Sequence, residues 1–257
     1  MTELPTNYIT APDGTRIAVH RMGPAGGPPV LMLHGLFSSA QVNWVKYGHA
    51  ALLAEHGFAC IMPDWRIHGH SDAPTDPQAY ASGVLADDAL HIVRTLGLEE
   101  YDLVGFSLGA RTAVSAVIRG LTPRRLVLGG MGLEGLTGWE KRVAFFVDMV
   151  DRYDDIERGD PAFLAKSFMK GQGIDRTAAR LLLTRAVEDI ALDELGRLSM
   201  PTLVLIGEDD RDNGSPERLA AALPDARVQT IPGNHMGSVT RKEMGRAILG
   251  FLQEPSD

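Results

Sequence analysis

The sequence predicts an α/β protein: a mostly parallel, twisted sheet with helices on both faces, and a small helical lid inserted between core strands. Three observations support this fold class. Short apolar segments rich in Val, Leu and Ile alternate with helix-like segments, which is typical of a parallel sheet covered by helices. One long interval has no strand-like segment. A serine lies between two glycines where a strand-like segment meets a helix-like one.

Six strand-like segments are expected in the middle of the sheet, because their apolar residues are nearly continuous rather than alternating. They are 28–35, 58–64, 101–106, 125–130, 201–207 and 227–233. Helix-like segments separate them, among them 43–57, 84–97 and 215–224. Before the first core strand, residues 7–23 have the pattern of an antiparallel hairpin that turns at Asp13-Gly14.

The interval 133–200 is helical in pattern, charged, and rich in Met and Phe. Since core strands are predicted on both sides of it, we interpret it as an insertion rather than a second domain in series. The predicted organisation is an α/β core in two parts, residues 1–132 and 201–257, interrupted by a helical lid at 133–200.

Composition excludes several functional classes. The 257 residues carry a formal net charge of −8 with no basic stripe, which argues against nucleic-acid binding. No signal peptide is apparent, and no apolar run reaches the roughly 18 residues needed to span a bilayer. The single cysteine, Cys60, excludes an internal disulfide and fits a reducing, cytoplasmic setting. The histidines lack metal-ligand spacing. No metal or cofactor is expected, and the oligomeric state stays undetermined.

The stretch Gly105-Phe106-Ser107-Leu108-Gly109 joins a predicted strand to a predicted helix. A serine between these elements must lie on a sharp turn, and glycines on either side remove the side chains that would clash there. This pattern predicts a nucleophile elbow with Ser107 as nucleophile. The alternative is an ordinary connection in which Ser107 only caps the helix.

A serine nucleophile needs a base oriented by an acid, and both are expected in loops after later strands. His235 follows the last predicted strand, and Asp210 lies three residues after Gly207, so the chain order is Ser, Asp, His. Asp209 and Asp212 are alternatives for the acid, and Glu134 is a more remote one.

An oxyanion requires at least two preorganised donors. We expect them to be the backbone N–H groups of Leu36, in the turn after the first core strand, and of Leu108, which opens the helix behind the serine. His34, beside Gly35, is interpreted as a structural residue that shapes this loop rather than as a base.

Five motifs in order resemble the α/β-hydrolase superfamily, in its lid-bearing, serine esterase-like branch. They are His34-Gly35, the segment DWRIHGHS at 64–71, the elbow, Gly207 to Asp210, and Gly233-Asn234-His235. In the second motif Ile67 stands where the family usually has glycine, so this turn is expected to follow a different course. The resemblance implies that Asp64 and Arg66 are scaffold residues. It also disfavours epoxide hydrolases and haloalkane dehalogenases, which place Asp where this chain has Ser107.

The predicted function is hydrolysis of carboxylic esters of small to medium apolar substrates through an acyl-enzyme. The same triad could instead cleave a thioester, lactone, amide or carbon–carbon bond, or act as a perhydrolase, and a slow ligand receptor is a further alternative. The expected partner is a small-molecule ester. The expected pocket walls are Leu36, Phe37, Leu108, Met131, Phe145, Phe146, Met149, Phe168, Met169, Met236 and Val239.

Overall fold

An eight-stranded sheet forms the centre of the computed structural model, which describes residues 4–187 and 189–255. In chain order the strands are β1 (Thr6–Thr10), β2 (Arg16–Met22), β3 (Pro29–Leu33), β4 (Ala59–Pro63), β5 (Asp102–Phe106), β6 (Leu126–Gly129), β7 (Thr202–Gly207) and β8 (Ala226–Ile231). Their order across the sheet is β1-β2-β4-β3-β5-β6-β7-β8. The hairpin β1–β2 and the β2–β4 pair are antiparallel, and all other pairs are parallel. The predicted mostly parallel sheet is confirmed.

Helices cover both faces of this sheet. The α-helices are α1 (His49–Glu55), α2 (Val84–Thr95), α3 (Leu108–Ile118), α4 (Leu133–Thr137), α5 (Trp139–Asp151), α6 (Phe163–Gly171), α7 (Arg176–Leu181), α8 (Pro216–Ala222), α9 (His235–Val239) and α10 (Lys242–Leu252). Leu31 and Leu33 of β3 face the layer built by α2, α3 and α8, while Val30 and Met32 face α1 and α10. This alternation follows from the two-residue period of a strand, and it is why both faces of a central strand are apolar.

Between β6 and β7 the described chain forms α4 to α7, a π-helical turn (Leu182–Ala186) and a 3-10 helix (Leu192–Arg197). Helix α4 packs against α8, and the 3-10 helix packs against α3 and α8, so both ends of the interval rest on the core. Helices α5, α6 and α7 pack mainly on one another and on the π-helical turn. We call α5 to α7 together with that turn the helical cap.

Membrane-spanning helices and the environment of Cys60 can both be examined in the described residues. None of the helices within the described ranges is long and apolar enough to cross a membrane. Cys60 lies in β4, where its thiol is buried next to the Ala50 carbonyl oxygen at 3.6 Å. Burial raises the pKa of this thiol to about 12, so Cys60 is an inert core residue rather than a nucleophile.

Candidate active site

Ser107 lies on the tight turn between β5 and α3. Its backbone has φ 53° and ψ −114°, a conformation that costs a non-glycine residue of order 1–3 kcal/mol. A Cβ on Gly105 would lie 2.4 Å from the carbonyl oxygen of Gly109, and one on Gly109 would lie 2.1 Å from that of Leu33. Both glycines are therefore required by the close approach of backbone to backbone. The Ser107 side chain makes no capping hydrogen bond to α3, which leaves its hydroxyl free for another partner.

That partner is His235, at the start of α9. The Nε2 atom of His235 is 3.0 Å from Ser107 Oγ, and its Nδ1 atom is 2.8 Å from Asp210 Oδ2. Because an ionised carboxylate only accepts hydrogen bonds, Nδ1 carries the proton and Nε2 is left as the acceptor for the serine hydroxyl. The structure thus brings Ser107, His235 and Asp210 together in the arrangement of a nucleophile, a base and an orienting acid.

Asp210 is held as an anion by its surroundings. Its burial would raise the pKa of the carboxyl group, but the hydrogen bond and the charge interaction with His235 and the backbone N–H of Asp212 bring the pKa below its usual value. The Asp212 N–H donates to Asp210 Oδ1 at 3.0 Å. Both carboxylate oxygens are therefore occupied, and the side chain is fixed in a single orientation.

The other candidate acids lie elsewhere. The side chain of Asp209 is exposed, and that of Asp212 pairs with Arg142 in the cap. Glu134 accepts a hydrogen bond from the Ser215 N–H and pairs with Arg218 on the surface. Of these carboxylates only Asp210 reaches His235.

The loop after β3 carries the expected oxyanion donors, and its backbone is anchored on both sides of Leu36. The Gly35 N–H donates to Asn43 Oδ1 at 3.1 Å, and the Phe37 N–H donates to His68 Nε2 at 2.9 Å. A Cβ on Gly35 would lie 3.5 Å from the Ser107 Cβ, so the loop approaches the nucleophile closely. In the described chain nothing accepts a hydrogen bond from the N–H groups of Leu36 or Leu108.

Two buried histidines hold this loop from behind. His34 Nδ1–H donates to the Gly35 oxygen at 2.8 Å, and its Nε2 accepts from the Trp65 N–H at 3.0 Å. His68 Nδ1–H donates to the Arg66 oxygen at 3.0 Å, which leaves its Nε2 to accept from Phe37. Burial lowers the pKa of both imidazoles, that of His68 to about 3. Both rings are therefore neutral scaffold groups.

The segment 64–71 supports the same loop. Asp64 accepts hydrogen bonds from the Ala40 N–H, the His70 N–H and His20 Nε2. Arg66 forms a buried bidentate pair with Asp88. Neither side chain lines the cavity at the serine, in agreement with the scaffold interpretation.

Ile67 takes a left-handed conformation with φ 72°, although a β-branched residue is rarely found there. An isoleucine thus occupies a turn whose backbone favours glycine. The Ile67 side chain is buried at 5% exposure, and the expectation that the residue change redirects the turn stays a prediction. Burial of such a side chain contributes about 1.5–3 kcal/mol, enough to offset a left-handed strain of about 1–2 kcal/mol.

A cavity of about 1100 Å³ opens above the triad, between the core and the helical cap. Ser107 and His235 lie on its wall. Of the residues expected to line it, the structure places these at the wall: Leu36, Phe37, Leu108, Phe145, Phe146, Phe168, Met236 and Val239.

Met131, Met149 and Met169 do not line the cavity, and their assignment as pocket walls was wrong. All three are at most 2% exposed and pack into the main hydrophobic core. In α5 the residues that line the cavity lie in the first two turns, up to Phe146. Met149 continues the same helical spacing one turn further along, where its side chain is buried in the core instead.

Several wall residues were not anticipated from the sequence. Asn43 and Lys46 come from the segment after the oxyanion loop, and Trp139 and Arg142 come from the first turn of α5. Trp139 had a usable signal, because it lies seven residues before Phe146 and thus on the same helical face. Asn43 had none, since nothing local distinguishes it from a solvated loop residue.

Two groups of side chains bring potential metal-ligand atoms within 4.8 Å of one another: His20, Asp64 and His70, and Asp210, Asp212 and His235. In the first group His20 Nε2 already bonds Asp64, and in the second His235 bonds Asp210. Each contact has a structural or catalytic explanation without an ion, and the expectation of no cofactor stays a prediction.

Comparison with known proteins agrees with this fold. The family model described as alpha/beta hydrolase fold matches residues 28–153. The 2-(acetamidomethylene)succinate hydrolase of Mesorhizobium japonicum is 34% identical over 262 residues, which cover 92% of this chain and 92% of that protein. The chain belongs to the α/β-hydrolase family.

Two more members of the α/β-hydrolase group extend the comparison. A Bacillus subtilis (strain 168) protein, provisionally named 2-succinyl-6-hydroxy-2,4-cyclohexadiene-1-carboxylate synthase, is 25% identical, and the alignment covers 96% of this chain and 98% of that protein. The esterase of Exiguobacterium antarcticum shares the fold with a TM-score of 0.77 at 21% identity, over 97% of this chain and 100% of that one. Family membership makes the chain an enzyme of the hydrolase class.

Proposed function

We propose that this α/β hydrolase cleaves carboxylic esters through an acyl-enzyme on Ser107. The observation that carries the proposal is the continuous hydrogen-bonded series from Ser107 Oγ through His235 to Asp210, with 3.0 and 2.8 Å between successive atoms. It opens on a cavity large enough for a small or medium substrate.

Acylation begins with attack of Ser107 Oγ on the ester carbonyl carbon while His235 Nε2 takes the hydroxyl proton. The charge that develops on the carbonyl oxygen is stabilised by the N–H groups of Leu36 and Leu108, which have no acceptor in the described chain. His235 then gives its proton to the departing alcohol oxygen, and the carbon–oxygen bond breaks.

Deacylation repeats these steps with water. His235 takes a proton from the water as its oxygen attacks the acyl carbon, and the proton then returns to Ser107 as the acid leaves. Asp210 stays ionised throughout, consistent with its lowered pKa, and stabilises the imidazolium that forms in each step.

The helical cap supplies the walls that would hold the acyl and alcohol groups. Phe145, Phe146 and Phe168 reach the cavity from the cap, and Phe37 and Val239 from the core. Phe37 and Phe146 pack edge to face at 5.7 Å. These contacts support a lid role for the cap and a preference for substrates with apolar groups next to the ester.

A second candidate keeps the triad and changes the bond. The Mesorhizobium relative hydrolyses, by its name, a succinate derivative that carries an acetamido group. In this chain Lys46 places a cationic group at the cavity wall, which would suit a substrate with a carboxylate; Arg142 also lies there, paired with Asp212. An amide, thioester or lactone of such an acid is therefore the main alternative to a neutral ester.

The proposal is tested with a chain-length series of p-nitrophenyl esters. The wild type is expected to turn over short or medium acyl chains at roughly 1 per second or faster, and Ser107→Ala to lower kcat by about 10⁴-fold. Ser115→Ala, in the same helix and outside this cavity, is the matched control and should keep full activity.

Undiminished ester turnover by Ser107→Ala would refute the nucleophile assignment. Inactivity of the wild type on every ester would favour the alternative bonds, which a panel of matched amide, thioester and lactone substrates then separates. Single-turnover release of one equivalent of product would favour the receptor alternative.

A further inference from the structure

Two buried N–H donors at the cavity wall have no hydrogen-bond partner. In the described chain, Asn43 Nδ2 and Trp139 Nε1 are both buried and unpaired, and both residues line the cavity that contains Ser107. Asn43 is 2% exposed and Trp139 is 7% exposed. An unpaired buried donor costs about 1–3 kcal/mol, so each such group in a folded protein calls for a physical reason.

The orientation of the Asn43 amide is fixed by the oxyanion loop. Its Oδ1 accepts the Gly35 N–H at 3.1 Å, so the Nδ2 group, which lies in the same amide plane, points away from Gly35. The oxygen therefore holds the oxyanion loop, and the two N–H bonds of this wall residue have no acceptor in the described chain.

Trp139 is held in place by residues outside the helical cap. Its backbone N–H donates to Asp189 Oδ1 at 2.8 Å, and the guanidinium carbon of Arg111 lies 5.1 Å from the ring centroid. The ring is thus held at the start of α5, while its indole N–H finds no acceptor in the protein. Buried indole N–H groups usually have one.

We propose that Asn43 and Trp139 are specificity-determining residues, whose free N–H groups donate to acceptor oxygens on the substrate. The two donors stand on different parts of the protein, one in the core segment after β3 and one in the cap. Both residues line the cavity that contains Ser107, which is where a bound substrate would lie. The substrate class is therefore an ester whose acyl or alcohol chain carries an ether or carbonyl oxygen, rather than a plain hydrocarbon chain.

This inference rests on the proposed ester hydrolysis and refines the expectation of a purely apolar substrate. A hydrocarbon chain in the cavity would bury both donors without a partner, whereas a chain with an acceptor oxygen would satisfy them. A neutral hydrogen bond of this kind is worth about 0.5–1.5 kcal/mol. Each donor should therefore change the preference between matched substrates by about 2- to 10-fold.

The test compares two pairs of esters of equal chain length. For the acyl side they are p-nitrophenyl butyrate and p-nitrophenyl methoxyacetate, and for the alcohol side butyl acetate and 2-methoxyethyl acetate. The quantity measured is the ratio of kcat/KM for the oxygen-containing ester to that for the hydrocarbon ester, in each variant relative to the wild type. Differences in intrinsic reactivity between the esters cancel in this comparison.

Trp139→Phe keeps the ring and removes only the N–H, and Asn43→Ala removes the amide. A loss of support for the oxyanion loop in Asn43→Ala would slow both members of a pair equally and leave the ratio unchanged. Asn43→Asp, which keeps an acceptor for the Gly35 N–H, serves if Asn43→Ala does not fold. Trp44→Phe is the matched control, since its indole N–H is likewise buried and unpaired but lies away from the cavity.

We expect the ratio to fall 2- to 10-fold in at least one pair for Trp139→Phe and for an Asn43 variant, with no change in Trp44→Phe. Unchanged ratios in both pairs would overturn the inference while leaving ester hydrolysis intact, and so would an equal fall in the control. If the wild type hydrolyses none of the four esters, the proposed function and this inference are both overturned.

Discussion

Replacing Asp210 by Asn tests whether this residue is the acid that orients His235. The substitution keeps the shape of the side chain but replaces one of its two acceptor oxygens by an NH₂ group, which is a donor. Asp210 Oδ2 accepts from His235 and Oδ1 accepts from the Asp212 N–H. Whichever way the new amide turns, its NH₂ group meets one of these donors.

If the NH₂ group faces Asp212, a buried N–H is left unpaired, at a cost of about 1–3 kcal/mol. If it faces His235, the imidazole is driven to the other tautomer, whose Nε2–H can no longer accept the proton of Ser107. In both orientations the negative charge that stabilises the imidazolium is lost. We therefore expect kcat to fall about 10⁴-fold, equivalent to about 5 kcal/mol of transition-state stabilisation.

The assay is steady-state hydrolysis of a p-nitrophenyl ester that the wild type cleaves, together with thermal unfolding to show that the variant is folded. Asp209→Asn is the matched control, because the Asp209 side chain is exposed and Asp210 is the carboxylate that bonds His235, so this variant should keep wild-type kcat. Retention of more than a tenth of wild-type kcat by Asp210→Asn would refute the assignment of the acid. A large loss in Asp209→Asn would refute it equally.

Two further predictions concern the scaffold. Gly109→Ala should destabilise the fold by at least about 2 kcal/mol, because its Cβ would lie 2.1 Å from the Leu33 oxygen. Gly250→Ala, in exposed helix with no atom within 4 Å of the new Cβ, should instead gain up to about 1 kcal/mol of stability. Equal melting temperatures of the two variants would contradict this prediction. His68 has a folded-state pKa of about 3 against an ordinary value of 6.5, so between these pH values only the unfolded chain binds the proton and stability falls as the pH falls. The free energy of unfolding of wild type relative to His68→Gln, measured in urea, should drop by about 1.4 kcal/mol from pH 7.5 to 5.5, and a constant difference would show that Phe37 is not held by a neutral imidazole.

Much of the fold was predictable because it depends on local pattern. The near-continuous apolar runs that became β3 to β7 are apolar on both faces, because side chains alternate between the two faces of a strand and both faces of these strands are covered. The segment expected as a sixth central strand, β8, instead lies at the edge of the sheet and is partly exposed. The elbow was local only in part: Gly105 is required by its approach to Gly109 within the turn, whereas Gly109 is required by the approach of Leu33 in the neighbouring strand β3. The order of Ser107, Asp210 and His235 along the chain then followed from the strand ends.

The cavity wall was predicted only in part, because it depends on where each turn of a helix packs against the rest of the protein. Residue type alone favoured Met131, Met149 and Met169, yet all three are buried in the core. Trp139 lies at the cavity wall instead, in the first turn of α5. A methionine and a tryptophan serve equally well in a core or in a pocket, so composition does not separate the two.

The sequence by itself determined the sheet, the elbow and the three residue types of the triad, since these follow from periodicity, from steric limits at glycine and from the chemistry that a serine nucleophile requires. Only the tertiary structure decided which of three neighbouring aspartates bonds His235, and which polar groups remain unpaired at the wall. Those outcomes depend on distances of about 3 Å between segments far apart in the chain: 25 residues separate Asp210 from His235, and 128 separate Ser107 from it. No local pattern fixes such distances, because they are set by the packing of the whole core.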